Sequence, residues 1–88
     1  MIDNGYNGWK NRETWNASLW INNDEGLYRA AVDFMKRYQV LKYQEDQPYR
    51  YFIEYMELEK SFTGDDIHWL DSGMDYDALN DMMRDLID

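Results

Sequence analysis

The sequence predicts an all-α protein, a compact bundle of about four helices that forms one acidic domain over residues 1–88. Trp, Tyr and Phe make up 17% of the chain, which is more than disordered chains contain. Apolar residues recur at helical spacing in four segments, which are separated by capping and turn signals. There is no cysteine, so disulfides and thiolate metal sites play no part in this fold. A minor β-element near residues 2–9, close to the N-terminus, or near residues 39–44 stays open.

The first helix is predicted from about Arg12 to Ile21, with Asn11 as its N-cap. Trp15 and Leu19 lie four residues apart and share one face, which we expect to be buried because tryptophan at helical spacing usually packs in the core of a small domain. Trp20 lies about 100° from that face. It is therefore the better candidate for a surface role.

The second helix is predicted to begin within the segment Asn22-Asn23-Asp24-Glu25-Gly26. Asn22 is expected to cap it, and Glu25 three residues later fits the reciprocal capping arrangement. Apolar residues then recur at helical spacing up to about Gln39, namely Leu27, Ala31, Phe34, Met35 and Tyr38.

The third helix is predicted to begin at Asp46-Gln47-Pro48, because aspartate caps a helix and proline is tolerated in its first turn. Gly64 is expected to end it after Phe62. The segment is rich in residues that favour strands, so a strand is the alternative. As a helix it would bury one stripe, formed by Tyr49, Phe52, Ile53 and Met56.

The fourth helix is predicted to follow a loop or single turn over residues 65–73, which carries His68 and Trp69. Asp75 is expected to cap this helix. Its apolar face is predicted to consist of Leu79, Met82, Met83 and Leu86.

The negative charge belongs to the second half of the chain. Residues 1–44 carry six Lys or Arg and five Asp or Glu, a net charge of +1, whereas residues 45–88 carry three and thirteen, a net charge of -10. A surface of that sign repels nucleic acid and anionic lipid and attracts basic protein grooves. We therefore expect neither direct nucleic-acid binding nor membrane binding.

The fourth helix carries an unusual row of like charges. Asp77, Asp81 and Asp85 repeat at i, i+4 and i+8, which spaces them by roughly 6 Å along one side of the helix. Like charges at this spacing destabilise a helix, and only Arg84 offers local relief. Successive phosphates of one DNA strand advance about 3.4 Å along the duplex, so the row could occupy alternate arginine or lysine contacts of a DNA-binding groove. The alternative is a solvated face that keeps the protein soluble.

The predicted partner-binding residues combine this row with nearby acidic positions and one tryptophan. They are Glu54, Glu57, Asp65, Asp66, Asp71, Asp75, Asp77, Asp81, Asp85 and Trp20, and Glu59 belongs to the same acidic group.

Catalytic and metal-binding signatures are weak. His68 is the only histidine, which excludes a two-histidine metal site. A calcium loop that starts at Asp71 fails, because position six is Tyr76 instead of glycine and position twelve is Met82 instead of glutamate. We expect no enzyme activity, no metal and no cofactor; the chemical alternative would use Asp66 and His68.

Two short motifs and the acidic end of the chain carry a resemblance. The motifs are Asn-x-Glu-Thr-Trp, at Asn11, Glu13, Thr14 and Trp15, and Leu-Trp-Ile-x-Asn-Asp, at Leu19, Trp20, Ile21, Asn23 and Asp24; Trp69 and the segment Asp75 to Leu86 follow. With them the sequence resembles a group of small uncharacterised proteins encoded by phages, archaeal viruses and plasmids. The resemblance implies a mobile-element origin and no catalytic residues. Small acidic proteins of such genomes are often inhibitors of host defence, including anti-CRISPR and anti-restriction proteins.

The leading functional prediction is a virus-encoded inhibitor, present in the host cytoplasm, that occupies the basic nucleic-acid-binding groove of a host protein complex. The alternative is a small structural or scaffold module that binds a partner through the exposed aromatic side chains of Trp9, Trp20, Tyr51 and Tyr55. A homodimer is also open, because a thin core often leaves an apolar face that a second copy covers.

Overall fold

Four α-helices and one long loop form the fold in the computed structural model, which describes residues 8–38 and 45–88. The helices are α1 (Arg12–Asn23), α2 (Glu25–Arg37), α3 (Pro48–Tyr55) and α4 (Tyr76–Asp85). In these ranges the only β-structure is a single bridge between Phe62 and His68. The predicted all-α bundle is confirmed, and the strand alternative for the third segment is wrong. The predicted minor β-element lies outside the described residues, apart from residues 8 and 9, which are not in a strand.

Helix α4 lies against each of the other three helices, and α2 also contacts both α1 and α3. The radius of gyration is 12.6 Å, close to the value of roughly 12 Å that a folded chain of this length should have. No helix in the described ranges is long and apolar enough to cross a membrane.

The start of α1 and its junction with α2 depend on side-chain caps. Asn11 accepts a hydrogen bond from the backbone N–H of Thr14 at 3.0 Å, so the predicted N-cap is confirmed. The predicted cap of α2 is wrong: α1 continues to Asn23, and Asp24 accepts from the N–H of Leu27 at 3.0 Å. Asn22 lies inside α1 and donates to the carbonyl of Ser18 instead. One residue therefore separates the two helices.

The buried face of α1 differs from the predicted one. Trp15 and Leu19 are half-buried and lie outside the core, whereas Thr14, Ala17, Ser18 and Ile21 are buried. These positions follow the full i, i+3, i+4, i+7 helical pattern. Three of the four are small, so α1 can approach α2 and α4 closely.

Helix α2 buries the predicted stripe. Ala31, Phe34 and Met35 are in the core, and Leu27 and Tyr38 pack against it. The helix ends at Arg37, and its last turn is basic, which suits the negative end of the helix dipole.

Helix α3 is shorter than predicted. It ends at Tyr55, where the N–H of Glu57 donates to Glu54 and the N–H of Leu58 donates to Ile53. These two bonds form a Schellman motif, and Glu57 takes its left-handed position with φ of 60°. Gly64 is therefore not the helix stop.

The beginning of α3 also departs from prediction. Gln47, and not Asp46, is the N-cap, and its side chain makes no capping bond. Pro48 occupies the first turn as expected. The predicted buried stripe is confirmed, since Tyr49, Phe52 and Ile53 are fully buried and Met56 packs against the core.

The loop between α3 and α4 folds back over the core. Trp69 is buried, and its carbonyl accepts a hydrogen bond from the hydroxyl of Tyr49 at 2.5 Å. Asp75 caps α4 by accepting from the N–H of Ala78 at 3.1 Å, as predicted. The apolar face of α4 is also confirmed: Leu79 and Met83 are fully buried, and Met82 and Leu86 pack against the core.

Two polar networks attach this loop to α1. Asn11 donates to the carbonyl of Gly73 at 2.6 Å, and the hydroxyl of Thr14 accepts from the N–H of Asp75 at 2.8 Å. Further along, Asn16 accepts from the hydroxyl of Thr63 at 2.7 Å. No buried side-chain nitrogen or oxygen of the described residues lacks a hydrogen-bond partner.

Candidate functional site

The predicted aspartate row is present on the outer side of α4. Asp77, Asp81 and Asp85 are all exposed and lie opposite the buried side chains of Leu79 and Met83. Asp81 forms an ion pair of 2.7 Å with Arg84. Neither Asp77 nor Asp85 has an ion-pair partner within the described residues, so the row keeps an excess of negative charge.

Arg84 neutralises the row only in part, because two carboxylates share it. Its guanidinium lies 2.7 Å from Asp81 and 3.0 Å from Asp46. Partial burial acts to lower the pKa of Arg84. Hydrogen bonds and negative charge from Asp46, and then from Asp81, outweigh this effect, so the pKa is raised. Asp46, which was predicted to cap α3, thus ties α4 to the segment before α3.

A groove runs beside the aspartate row, and we call it the α4 groove. Asp81 and Asp85 form part of its wall, and its volume is about 630 Å³. The other lining residues are Gly8, Trp9, Asn22, Tyr28, Ala78, Met82 and Leu86. None of these described lining residues is a lysine or an arginine. The groove therefore combines apolar and aromatic surface with two carboxylates.

Tyr28 is the part of this groove that the sequence prediction missed. It lies one residue beyond Leu27 of the buried stripe on α2, and 41% of its surface is exposed. Its spacing of three and seven residues from the buried Ala31 and Met35 places it at the N-terminal end of the apolar side of α2, and this spacing is the signal that could have identified it.

Asp65 lies on another part of the molecule and has an internal role. One of its oxygens accepts hydrogen bonds from the side chain of Asn16 at 2.7 Å and from the indole N–H of Trp20 at 3.0 Å. The bond from Asn16, followed by that from Trp20, lowers the pKa of Asp65. Its negative charge thus holds the loop to α1.

Trp20 is half-buried in this contact. Its ring packs so closely over Gly64 that a Cβ atom at that position would overlap it. Trp20 and Asp65 line a separate groove of about 280 Å³ together with Leu19, Asn23 and Asp24. The predicted anchor therefore braces the loop against α1, and the binding of a partner by Trp20 stays a prediction.

Asp71, Asp75 and Asp66 are placed by the turns of the loop. Asp71 accepts from the N–H of Gly73 at 2.8 Å, and Asp75 is the cap of α4. Asp66 is exposed and has a left-handed φ of 68°. Two of these three carboxylates are thus engaged in local hydrogen bonds that define the backbone.

Glu54 and Glu57 lie at the end of α3. Glu54 lines a third groove, of about 430 Å³, with Glu45, Gln47, Arg50, Tyr51 and Tyr76. Glu57 is exposed in the turn that ends the helix. The predicted residues therefore border three different grooves, and the structure brings only Asp77, Asp81 and Asp85 together as a row.

The aromatic residues of the alternative hypothesis are also separated. Trp9 lies in the α4 groove and Tyr51 in the groove beside Glu54. Tyr55 is 60% exposed, and its ring centroid is 5.4 Å from that of Phe34. Tyr38 also packs against Phe34, and its hydroxyl donates a hydrogen bond to Asp46 at 2.9 Å. Burial, followed by this hydrogen bond, raises the pKa of Tyr38 to about 12.

The catalytic alternative receives no support from the geometry. Nδ1 of His68 accepts a hydrogen bond from the N–H of Leu70 at 3.1 Å, and the ring meets Phe62 edge-on at 5.1 Å. Neither His68 nor Asp66 lines the three grooves described above. Over residues 8–38 and 45–88, no three His, Cys, Asp or Glu side chains are grouped so that they could hold a metal ion.

Comparison with known proteins gives one match. The model of DUF7249, a family of unknown function, matches residues 2–88. No curated protein and no solved structure matches the chain.

Proposed function

The chain belongs to DUF7249, a family of unknown function. From the surface of the chain itself, we propose that it binds a basic partner protein through the aspartate row of α4. It acts as an inhibitor of a host defence complex that binds nucleic acid, of the anti-CRISPR or anti-restriction type. The acidic face occupies the groove that would otherwise hold DNA or RNA. No chemical step is required.

The observation that carries this proposal is the row itself. Asp77, Asp81 and Asp85 cap no helix end, and they add like charges to one side of α4. Asp85 lies in the last turn, where the helix dipole disfavours a carboxylate. Neither Asp77 nor Asp85 has an ion-pair partner within the described residues, and Asp85 also opposes the helix dipole, which makes the row a good candidate for binding.

The spacing of the row suits a surface that normally holds phosphates. Carboxylates at intervals of about 6 Å along a helix can meet lysine or arginine side chains that contact alternate phosphates of one strand. Opposite charge also accelerates association with such a groove, and added salt weakens this effect.

The viral origin and the host cytoplasm are further parts of the proposal. They are supported by the two motifs and the acidic C-terminal helix that resemble proteins of phages, archaeal viruses and plasmids. The structure assigns internal roles to several motif residues: Asn11 and Asp24 cap helices, Ile21 is in the core, and Trp20 binds Asp65. The two motifs therefore describe the fold, and our proposal assigns partner binding to α4.

The experiment measures protection of phage or plasmid DNA in bacterial strains that each carry one defined CRISPR or restriction system. The test variant is D77N/D81N/D85N. A matched control, E25Q/D33N/E45Q, makes the same change in charge at exposed positions elsewhere. We expect the wild type and the control to inhibit at least one system, and the test variant to lose at least tenfold in protection. Protection that persists in the test variant would contradict the proposal.

A second candidate function is a scaffold module that docks through aromatic side chains. Tyr55 and Phe62 favour it, since they are 60% and 57% exposed. This function predicts partner capture that depends weakly on salt and is lost in Tyr55→Ala. Tyr55 is a cleaner test than Trp20, because Trp20→Ala would also remove a contact to Asp65.

A further inference from the structure

The α4 groove has a composition that suits one kind of side chain. It contains two aromatic rings, from Trp9 and Tyr28, and two carboxylates, from Asp81 and Asp85. Met82 contributes further apolar surface. A purely apolar ligand would leave Asp85 without a partner, and a small cation would leave the aromatic surface uncovered.

Arginine meets both requirements. Its planar guanidinium stacks on aromatic faces, is weakly hydrated, and can donate two parallel hydrogen bonds to one carboxylate. Lysine is a compact and strongly hydrated charge that cannot make the bidentate pair. No lysine or arginine lies among the described residues that line the groove, and the positive charge that pairs with its wall is that of Arg84, 2.7 Å from Asp81.

The internal pair between Arg84 and Asp81 does not close the site. The side chain of Asp81 is 75% exposed in that pair, and Arg84 also binds Asp46. Exposed ion pairs contribute at most about 1 kcal/mol, so an incoming arginine can replace Arg84 at Asp81 at small cost. Arg84 would retain its contact with Asp46.

We propose that the α4 groove binds an arginine side chain of the partner protein, with its guanidinium against Trp9 or Tyr28 and hydrogen-bonded to Asp81 or Asp85. This inference rests on the proposed function and specifies the partner: a basic protein surface that presents arginine next to an apolar residue. The volume of about 630 Å³ leaves room for that neighbour to contact Met82 and Leu86.

The first test uses short peptides and the full chain labelled with nitrogen-15. The probes are Ac-Gly-Leu-Arg-Gly-amide and two analogues, one with lysine and one with citrulline, which has a shape similar to that of arginine but no charge. We expect the arginine peptide to shift the indole N–H signal of Trp9 and the amide signals of residues 81–86, with affinity near the millimolar range, about -4 kcal/mol. The lysine peptide should bind several times more weakly, and the citrulline peptide should cause no shift. Equal binding of citrulline would overturn the proposal.

Variants then locate the site. D81N/D85N should abolish the shifts, and Tyr28→Leu, which keeps an apolar side chain, should weaken binding several-fold. Asp77→Asn is the matched control, since Asp77 belongs to the row but does not line the groove. If Asp77→Asn weakened peptide binding as strongly as D81N/D85N, the groove would have no specific role and the proposal would be wrong.

Two further outcomes separate this inference from the proposed function. If D77N/D81N/D85N abolished inhibition while Tyr28→Leu left it intact, the acidic face would act without the groove and only the arginine site would fail. If the arginine peptide bound as predicted but no defence system were inhibited, only the proposed function would fail. Sedimentation of the free protein is the last check: a dimer that Tyr28→Leu dissociates would show that a second copy occupies the groove, which overturns the proposal.

Discussion

The side-chain oxygen of Asn80 on α4 accepts a hydrogen bond of 3.0 Å from the backbone N–H of Tyr49 in the first turn of α3. The side-chain nitrogen of Asn80 donates to the side chain of Gln47 at 3.1 Å. The side chain of Gln47 makes no capping bond, so Asn80, 31 positions after Tyr49 along the chain, performs the capping. Asn80 thereby fixes the position of α4, and of its aspartate row, relative to α3.

We expect Asn80→Leu to destabilise the protein by about 1–3 kcal/mol, because the buried N–H of Tyr49 would lose its acceptor. Leucine has a similar size, so lost packing should contribute little. The free energy of unfolding is measured by urea denaturation followed by circular dichroism. Gln47→Ala is the control and should cost less, since it removes only a partly exposed partner. Wild-type stability in Asn80→Leu would show that the cap is dispensable.

Two glycine substitutions should have opposite effects. Gly64→Ala places a Cβ atom inside the ring of Trp20, so the ring must move and we expect a loss of about 1–3 kcal/mol. In Gly26→Ala the new Cβ atom makes only an ordinary contact of 3.4 Å with Asp24. Because Gly26 lies within α2, we expect Gly26→Ala to stabilise the protein by about 0.5–1 kcal/mol.

Thermal unfolding of both variants measures whether each substitution raises or lowers the stability of the protein. A stabilised Gly64→Ala would contradict the close packing of Trp20 on the loop.

The helices could be predicted from sequence because their signals are local. Asn11, Asp75 and the helical spacing of apolar residues in α2, α3 and α4 each act within a few positions of the chain. The buried face of α1 differs from the predicted one because small residues, and not tryptophan, form it. The correct pattern buries Ala17 and Ser18, whose small size allows close helix contacts.

The site was harder to predict, because grooves arise from residues that are distant in sequence. The spacing of Asp77, Asp81 and Asp85 predicts one row along α4, and all three side chains are exposed there. The role of Asp65 depends on hydrogen bonds from Asn16 and Trp20 of α1, which precede it by 49 and 45 positions. No local pattern contains that information, so the sequence does not separate Asp65 from the carboxylates of the row.

Glu57→Gly should stabilise the protein. Glu57 occupies a left-handed conformation with φ of 60° at the end of α3, which costs other residues about 1 kcal/mol relative to glycine. We expect a gain of about 0.5–1 kcal/mol in the free energy of unfolding. Glu57→Ala keeps the unfavourable φ and serves as the control, so it should give no comparable gain. Equal stabilisation by both substitutions would mean that loss of the charge, and not relief of the backbone, is responsible.

The contact between Asp65 and Trp20 should make stability depend on pH. Hydrogen bonds from Asn16 and Trp20 lower the pKa of Asp65 in the folded state. The resulting stabilisation is fully present above the ordinary aspartate pKa of about 3.9. This stabilisation is lost as the pH falls through the lower pKa of the folded state, because the carboxyl is then protonated in both the folded and the unfolded protein.

Asp65→Asn is the variant that tests this dependence, because asparagine retains an oxygen that can accept a hydrogen bond. The difference in unfolding free energy between the wild type and Asp65→Asn should be largest at pH 6 and should shrink as the pH falls below about 3.9. Urea denaturation at a series of pH values measures it. A difference that stays constant over this range would mean that the charge of Asp65 does not contribute.

The two ends of the aspartate row should affect stability in opposite directions. Asp77 lies in the first turn of α4, where the helix dipole favours a carboxylate, and Asp85 lies in the last turn, where it does not. We therefore expect Asp77→Asn to destabilise the protein and Asp85→Asn to stabilise it, each by about 0.3–1 kcal/mol at low salt. Both differences should shrink in 1 M salt, where the Debye length is about 3 Å. If Asp85→Asn also weakens binding of the basic partner, then binding requires a carboxylate that destabilises the helix. A destabilised Asp85→Asn would remove this argument for a functional row, because the carboxylate would then support the fold.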